Sequence, residues 1–270
     1  MLSAGGVSAS MFPGFGEGEE PEPLCRETDK NRFNREYFKK IQDFDRTYSD
    51  DIHASMYDFK LLCSVQKKLK ALQGYVGYGN FNILNFDDAL TLMDRAGRLD
   101  TFTRDEHDFI ERTFYRNAAE YGFYGEKILT ELTLRVDENR MVKVPGTGHY
   151  IYKGEAYDTY RKITGEMKTL TLTSGVRSVV KQMYLFFSKA VETKGNLSQA
   201  SRSLAPPGYS YHGCSDFDVG IKGWGYANFT DKFATTREYS RLLESGYMRI
   251  RYDRKNPYGV RFEPWHVKVV

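Results

Sequence analysis

Three cysteines in 270 residues, Cys25, Cys63 and Cys214, are too few for a disulfide framework, and no two stand in a CxxC pair. Cysteine usage therefore leaves the redox compartment open. No apolar run approaches the roughly 18 residues of a membrane-spanning helix; the longest, Met183 to Phe187, is far shorter. A net charge of +3 gives little reason to expect a nucleic-acid partner. The first residues, MLSAGGVSASMFPGFGEGEEPEP, lack the charged and apolar regions of a signal peptide. Their Gly, Pro and Glu content reads as a disordered segment over 1–27, consistent with a terminus whose export signal or anchor is not in this chain.

What is present is an ordinary globular composition, 40% hydrophobic and 28% charged, with many aromatics: 20 Tyr and 18 Phe. From 28 to 125 the apolar residues follow helical spacing. Phe33, Tyr37, Phe38, Ile41 and Phe44 recur at steps of three to four, as do Phe59, Leu62, Val65, Leu69 and Leu72. A third helix is predicted over Asp87 to Ala96, ending at Gly97. Thr103 and Glu106 form a capping box that opens a fourth, stopped near Gly122. His53 and His107 fall in these helices, where a lone histidine is usually a surface or capping residue. After Gly125 the texture changes. Lys127 to Val136 alternates like a strand, and the turn-rich VPGTGHYIYKG follows. A helix is predicted over Tyr157 to Met167, a strand over Thr169 to Thr173 and a buried helix over Val179 to Ala190. Beyond these, short apolar runs (Phe217–Val219, Tyr247–Ile250, Val260–Phe262, Val267–Val270) are separated by Gly, Pro and Asn. Helices first and short strands later predict an α+β fold: a small antiparallel sheet with flanking helices over 126–270, behind a helical N-terminal region.

Two segments carry chemistry. In PPGYSYHGCSDFDVG, His212 and Asp218 stand six apart where a strand or hairpin can aim them into one cleft. In Glu263-Pro-Trp-His266 a carboxylate precedes a histidine by three, and Pro264 breaks the strand alternation that would send them to opposite faces. A zinc peptidase needs three protein ligands, an open position and a carboxylate base, and these segments contain His, Asp, His and Glu. Taken on spacing alone, each segment is equally compatible with a solvated turn.

The motifs around them resemble a known family. Leu204-Ala-Pro-Pro-Gly-Tyr-Ser-Tyr-His212 with Asp218-Val-Gly220 is similar to the first metal motif of D-alanyl-D-alanine carboxypeptidases of the vancomycin-resistance type. That superfamily also holds lysostaphin-like peptidases and the hedgehog signalling domain. Asn256-Pro-Tyr-Gly-Val260 and Phe262-Glu-Pro-Trp-His266 resemble the second motif, and Ser174-Gly-Val-Arg-Ser178 with Gln182 resembles the SGxRS segment. Order and separation agree over roughly 165–270. The resemblance implies a peptidoglycan hydrolase with one Zn(II) per chain, acting on stem peptides or muropeptides. It implies His212, Asp218 and His266 as ligands, Glu263 as the base and Arg177 as the holder of an oxyanion or a substrate carboxylate. It also implies Ser210, Gln182 and Ser178 as residues near substrate, with Trp265 packed behind the metal. The implied location is the bacterial cell envelope or periplasm, with cytoplasmic muropeptide recycling as the alternative. An endopeptidase that cuts crosslinks and a zinc-retaining binding module are the rival functions, and Glu263 weighs against the second. The N-terminal helices would either bind a partner protein or shape the cleft.

One departure stands out. The family pattern SxHxxGxAxD places one more residue between histidine and aspartate than this chain does. Asp216 and Cys214 therefore compete with Asp218, which is taken as the ligand because Val219-Gly220 continues the family's strand. His149, between turn and tyrosines, is expected to belong to a loop lining the cleft.

Overall fold

A computed structural model describes residues 33–269; the disorder expected over 1–27 lies outside the described residues. The N-terminal region is helical: α1 (Arg35–Gln42), α2 (Met56–Val76), α3 (Tyr78–Phe81), α4 (Phe86–Arg95) and α5 (Arg104–Tyr115). Helix α2 buries Leu62, Val65, Leu69 and Leu72 along one stripe and is capped by Ser55, whose side chain accepts from Asp58 N–H. The capping box of α5 forms as the sequence predicts. Its acid does more than cap. The Glu106 carboxylate also accepts from Ser64 Oγ and Lys68 Nζ, both at 2.6 Å, and so fastens α5 to α2.

The predicted strand over 127–136 is not a strand. Its backbone groups bond to other elements instead of a ladder: Leu129 N–H donates to Gly208 O at 2.8 Å and Val136 N–H to Asn85 Oδ1 at 2.7 Å. Ile128 and Leu132 pack onto the helical core, whereas Leu134 is exposed, so the alternation marks a segment lying over the helices. The first sheet lies just beyond it. Strands β1 (Met141–Val144) and β2 (His149–Tyr152) pair as an antiparallel hairpin, and Gly146 and Gly148 take the positive φ of its turn.

Then come α6 (Glu155–Glu166), β3 (Leu170–Ser174), α7 (Val179–Glu192), α8 (Leu197–Ser201), β4 (Phe217–Ile221), α9 (Arg237–Glu244), β5 (Arg249–Ile250) and β6 (His266–Lys268). The predicted helices and strand of this region are present within two residues at each end. The run at Val260–Phe262 is not a strand; Val260 O accepts from Asn256 Nδ2 at 2.8 Å. The second sheet has the order β3-β4-β6-β5, every pair antiparallel. The fold is α+β, as expected from the order of helical and strand patterns.

Two hydrophobic cores hold these elements. One packs α2, α4 and α5 against α7, with Met183, Phe186 and Phe187 of α7 fully buried. Full burial of each such side chain is worth about 1.5–3 kcal/mol, enough to make α7 a rigid support. The other joins the four-stranded sheet to α6 and α9 through Ile163, Phe217, Val219, Leu242, Trp265 and Val267. Among the described residues no helix is long and apolar enough to cross a membrane.

Candidate metal centre

The centre is a row across the second sheet. Register pairs Ser174 of β3 with Asp218 of β4, and Asp218 with His266 of β6. Side chains paired across antiparallel strands share a face, so Asp218 and His266 meet. A compact turn adds the third group. Pro206 O accepts from Tyr209 N–H at 3.0 Å, with Gly208 at φ 87 in the position where that turn needs a left-handed residue. A 3-10 turn over Tyr211–Gly213 follows, and Tyr211 O accepts from the N–H groups of Cys214, Ser215 and Asp216. This tight wrap accommodates the shortened His-to-Asp spacing and turns His212 inward.

Each imidazole is oriented by a partner on its other nitrogen. His212 Nδ1 lies 2.8 Å from Gly175 O, which leaves Nε2 directed at Asp218 Oδ1, 3.3 Å away. His266 Nε2 lies 3.0 Å from Asp216 Oδ2, which leaves Nδ1 3.3 Å from Asp218 Oδ1. His212 Nε2 and Asp218 Oδ1 are fully buried and have no hydrogen-bond partner among the described residues. Buried orphans of this kind are costly unless something else satisfies them. One donor atom from each of His212, Asp218 and His266 lies within 4.8 Å of the other two. Two imidazoles and a carboxylate sharing one point form a donor set suited to a divalent cation such as zinc.

Asp216 and Asp218 have different environments. Asp216 accepts from Arg251 Nε, from Arg251 Nη2 at 3.1 Å and from Val269 N–H at 2.9 Å besides facing His266. Its oxygens are consumed by these partners, so it acts on the centre through His266. Burial pushes its carboxyl up, but His266 and Arg251 outweigh that and hold it well below the usual range. Burial likewise opposes ionisation of Asp218, and His212, Arg177 and His266 overcome it, holding the carboxyl at about 2. Burial, with Arg177, lowers the His212 pKa and keeps the ring neutral. For His266 burial is overridden by Asp216, Glu263 and Asp218, which raise it to about 9. Cys214 points elsewhere: its Sγ donates to Tyr211 O at 3.2 Å, and burial pushes its thiol pKa up.

A cavity of about 380 Å³ opens on these groups. Glu263 lines it, with Oε2 at 3.5 Å from His266 Nδ1. The three-residue offset is bridged by a turn in which His266 N–H donates to Glu263 O at 3.1 Å, with Pro264 supplying the fixed φ. Arg177 donates from Nη2 to Asp218 Oδ2 at 2.8 Å and from Nε to Ser174 Oγ at 2.9 Å. Ser210 is in the lining. Gln182 is buried, donating to Ala205 O with its Oε1 at 3.5 Å from Arg177 Nη1, so it positions Arg177. Ser178 is buried as the N-cap of α7, accepting from Lys181 N–H at 3.2 Å. Trp265 packs in the second core against Phe229 while bordering the cavity. His149 sits on strand β2, not in the turn, and borders the same cavity; burial, with Arg177 and Lys181 near, lowers its pKa to about 4.

Sequence reasoning missed Asp216 as an orienting group, Arg251 as its partner, and Lys181 and Arg261 in the lining. Gly175 carried a signal that was available. A Cβ there would lie 1.9 Å from Tyr150 O, and its carbonyl takes the His212 ring. Only glycine permits that approach. The N-terminal region also reaches the site through Phe44, which borders the cavity.

Comparison with known proteins falls on the same region. Residues 156–270 match the family VanY, D-alanyl-D-alanine carboxypeptidase. Among solved structures, the LD-carboxypeptidase LdcB, described for its peptidoglycan recognition, is 27% identical, with 45% of this chain and 59% of that chain covered and a TM-score of 0.39. A mutant of the vancomycin-resistance D,D-pentapeptidase VanY in complex with Zn(II) is 21% identical over 48% of this chain and 78% of that chain, with a TM-score of 0.39. VanYB in complex with D-alanine-D-alanine is 23% identical over 48% and 76%, with a TM-score of 0.40. The chain thus spans 59% of the length of LdcB. Comparison with curated proteins gives no match. The stretch that supplies every donor of the centre, residues 156–270, is the one that carries the D-alanyl-D-alanine carboxypeptidase family match, as its motifs led us to expect.

Proposed function

We propose that this protein is a zinc-dependent carboxypeptidase that removes a terminal D-amino acid from peptidoglycan stem peptides. The observation that carries the reading is the convergence of two buried, unpartnered donor atoms, His212 Nε2 and Asp218 Oδ1, with His266 Nδ1 beside a carboxylate in a cavity. His212, Asp218 and His266 would hold one zinc ion, and Gly175 O and Asp216 fix the two histidine rings. Bound zinc supplies a Lewis acid that acidifies water and polarises the scissile carbonyl. Glu263 takes the proton from the attacking water and passes it to the leaving amine, a transfer for which its place beside His266 suits it. Arg177, one hydrogen bond from Asp218, places a fixed positive charge beside the position where negative charge develops. Ser210 contributes a hydroxyl to the cleft. The substrate class implies work at the cell envelope, with muropeptide recycling in the cytoplasm as the other setting.

The test is incubation of the protein with purified tetrapeptide, pentapeptide and crosslinked muropeptides, with and without a chelator, read by mass spectrometry. Loss of one D-alanine from pentapeptide marks D,D-activity, and loss from tetrapeptide marks L,D-activity. Cleavage confined to the crosslink makes it an endopeptidase. Zinc bound with no cleavage of any of them refutes the enzyme reading in favour of a binding module.

A further inference from the structure

The cavity runs along one face of α7. Lys181, Leu185 and Lys189 line it at four-residue steps, the spacing that stacks side chains on one side of a helix, and Arg177 lines it from the turn before the helix. Arg261 faces the cavity as well, so four cations border it. Three of these have a carboxylate within 4.0 Å, although Arg261 Nε makes no hydrogen bond among the described residues. Arg177 is held by Asp218, Ser174 and Gln182. Lys189 pairs with Glu192 at 2.7 Å. Arg261 donates to Phe229 O at 3.2 Å and lies over the rings of Phe44 and Trp265 at 4.7 and 4.9 Å, with Glu263 at 4.0 Å.

Lys181 is different. Its ammonium lies 5.7 and 5.8 Å from the ring centroids of Phe81 and Tyr184, and among the described residues it pairs with no carboxylate. Burial, with Arg177 nearby, lowers its pKa to about 8. The first turn of α7 holds no acidic residue that would offset the helix N-terminus. His149, the other titratable group near it in the lining, stays neutral near pH 7. A cation taken from water with no anion beside it costs stability. Such a cost is regained when an anionic ligand enters the cleft.

We propose that Lys181 is the specificity residue of this cleft and binds a carboxylate of the substrate. The proposal rests on the peptidase reading above. A stem peptide offers two sources for that carboxylate: the free C-terminus, and the free carboxyl of an internal acidic residue. A carboxylate held by Lys181, in the first turn of α7 and four residues after Arg177, fixes the peptide's register relative to the metal centre. Arg177 is thereby left to Asp218 and the reacting carbonyl.

The test uses the zinc-loaded Glu263→Gln protein, in which turnover is expected to be about 10²–10⁴-fold slower. Calorimetry compares the synthetic pentapeptide L-Ala-γ-D-Glu-L-Lys-D-Ala-D-Ala with the same peptide amidated at its C-terminus and with the same peptide amidated at the glutamyl carboxyl. The free peptide is expected to bind about tenfold more tightly than one of the two amides, a typical value for a charge-assisted hydrogen bond. Adding Lys181→Met should erase that preference while leaving the affinity for the same amide unchanged, and Lys181→Arg should keep part of it. Circular dichroism and zinc content verify the fold of each variant, and Lys181→Gln repeats the test with a polar side chain. A preference that survives Lys181→Met, or one erased by Arg261→Met instead, overturns the assignment. So does a loss spread equally over free and amidated peptides. Failure of all three peptides to bind while one zinc is bound overturns the peptidase reading itself.

Discussion

Asp216→Asn separates an orienting carboxylate from a metal ligand. In the native protein Asp216 is buried, with four donors converging on its two oxygens: Arg251 twice, Val269 N–H and the His266 ring. The amide keeps the shape and one acceptor but removes the charge opposite Arg251, whose guanidinium lies 3.5 Å from the centroid of the Tyr211 ring. Breaking a buried ion pair from one side costs about 3–5 kcal/mol. At roughly 2–4 °C per kcal/mol for a chain of this size, the metal-free protein should melt about 6–20 °C lower. The zinc site should survive in weakened form, because His266 keeps its ligating nitrogen and loses only the partner that aims it. Loss of such an orienting group lowers affinity about 10–100-fold. Asp218→Asn should instead abolish stoichiometric zinc. Differential scanning calorimetry of the apo proteins and zinc content after equilibration with a calibrated chelator measure both effects. An Asp216→Asn protein that melts like wild type and holds no zinc, beside an Asp218→Asn protein that holds one equivalent, would falsify the assignment of ligand and orienter.

Gly175→Ala should lower stability by about 1–3 kcal/mol by overpacking and weaken zinc binding with it, since the added methyl meets Tyr150 O and displaces the carbonyl that holds His212; unchanged urea midpoint and zinc affinity would refute this. Glu263→Gln should keep one zinc and lose about 10²–10⁴-fold in kcat, and substantial turnover by a properly loaded variant would remove Glu263 from the proton transfer. Zinc affinity should rise with pH, because the His266 proton must leave Nδ1 before a metal can bind there. The raised pKa means the protonated ring stabilises the apo fold fully below its unfolded value of about 6.5 and that contribution is lost as pH rises towards about 9. A chelator-corrected affinity that is flat between pH 6.5 and 8.5 would contradict the coupling.

The elements legible in the sequence were those whose pattern is local. The stripe of α2 and the Thr103–Glu106 box specify their helices without help from distant residues. The alternation over 127–136 misled because period two also describes an extended segment draped over a helical core, with Ile128 and Leu132 inward. What decides between the two is where the backbone hydrogen bonds go, and those partners, Gly208 and Asn85, are remote in sequence.

The ambiguity between Asp216 and Asp218 has a related cause. Residues two apart along extended chain point to the same side, so both carboxylates entering β4 face His266, and no count of positions distinguishes them. The imidazole does. Its two nitrogens, one carbon apart, point outward in diverging directions, and the sheet register sets that ring between the aspartates, Nε2 towards Asp216 and Nδ1 towards Asp218. Arg251 and Val269 N–H then saturate Asp216, while Asp218 keeps one oxygen against Arg177 and leaves the other, which faces both histidines, without a hydrogen-bond donor among the described residues. Two chemically identical side chains thus receive different tasks from what is hydrogen-bonded to them. The deciding groups come from the residues that directly follow β5 and β6 and from the turn before α7, all far in sequence from the PPGYSYHGCSDFDVG segment.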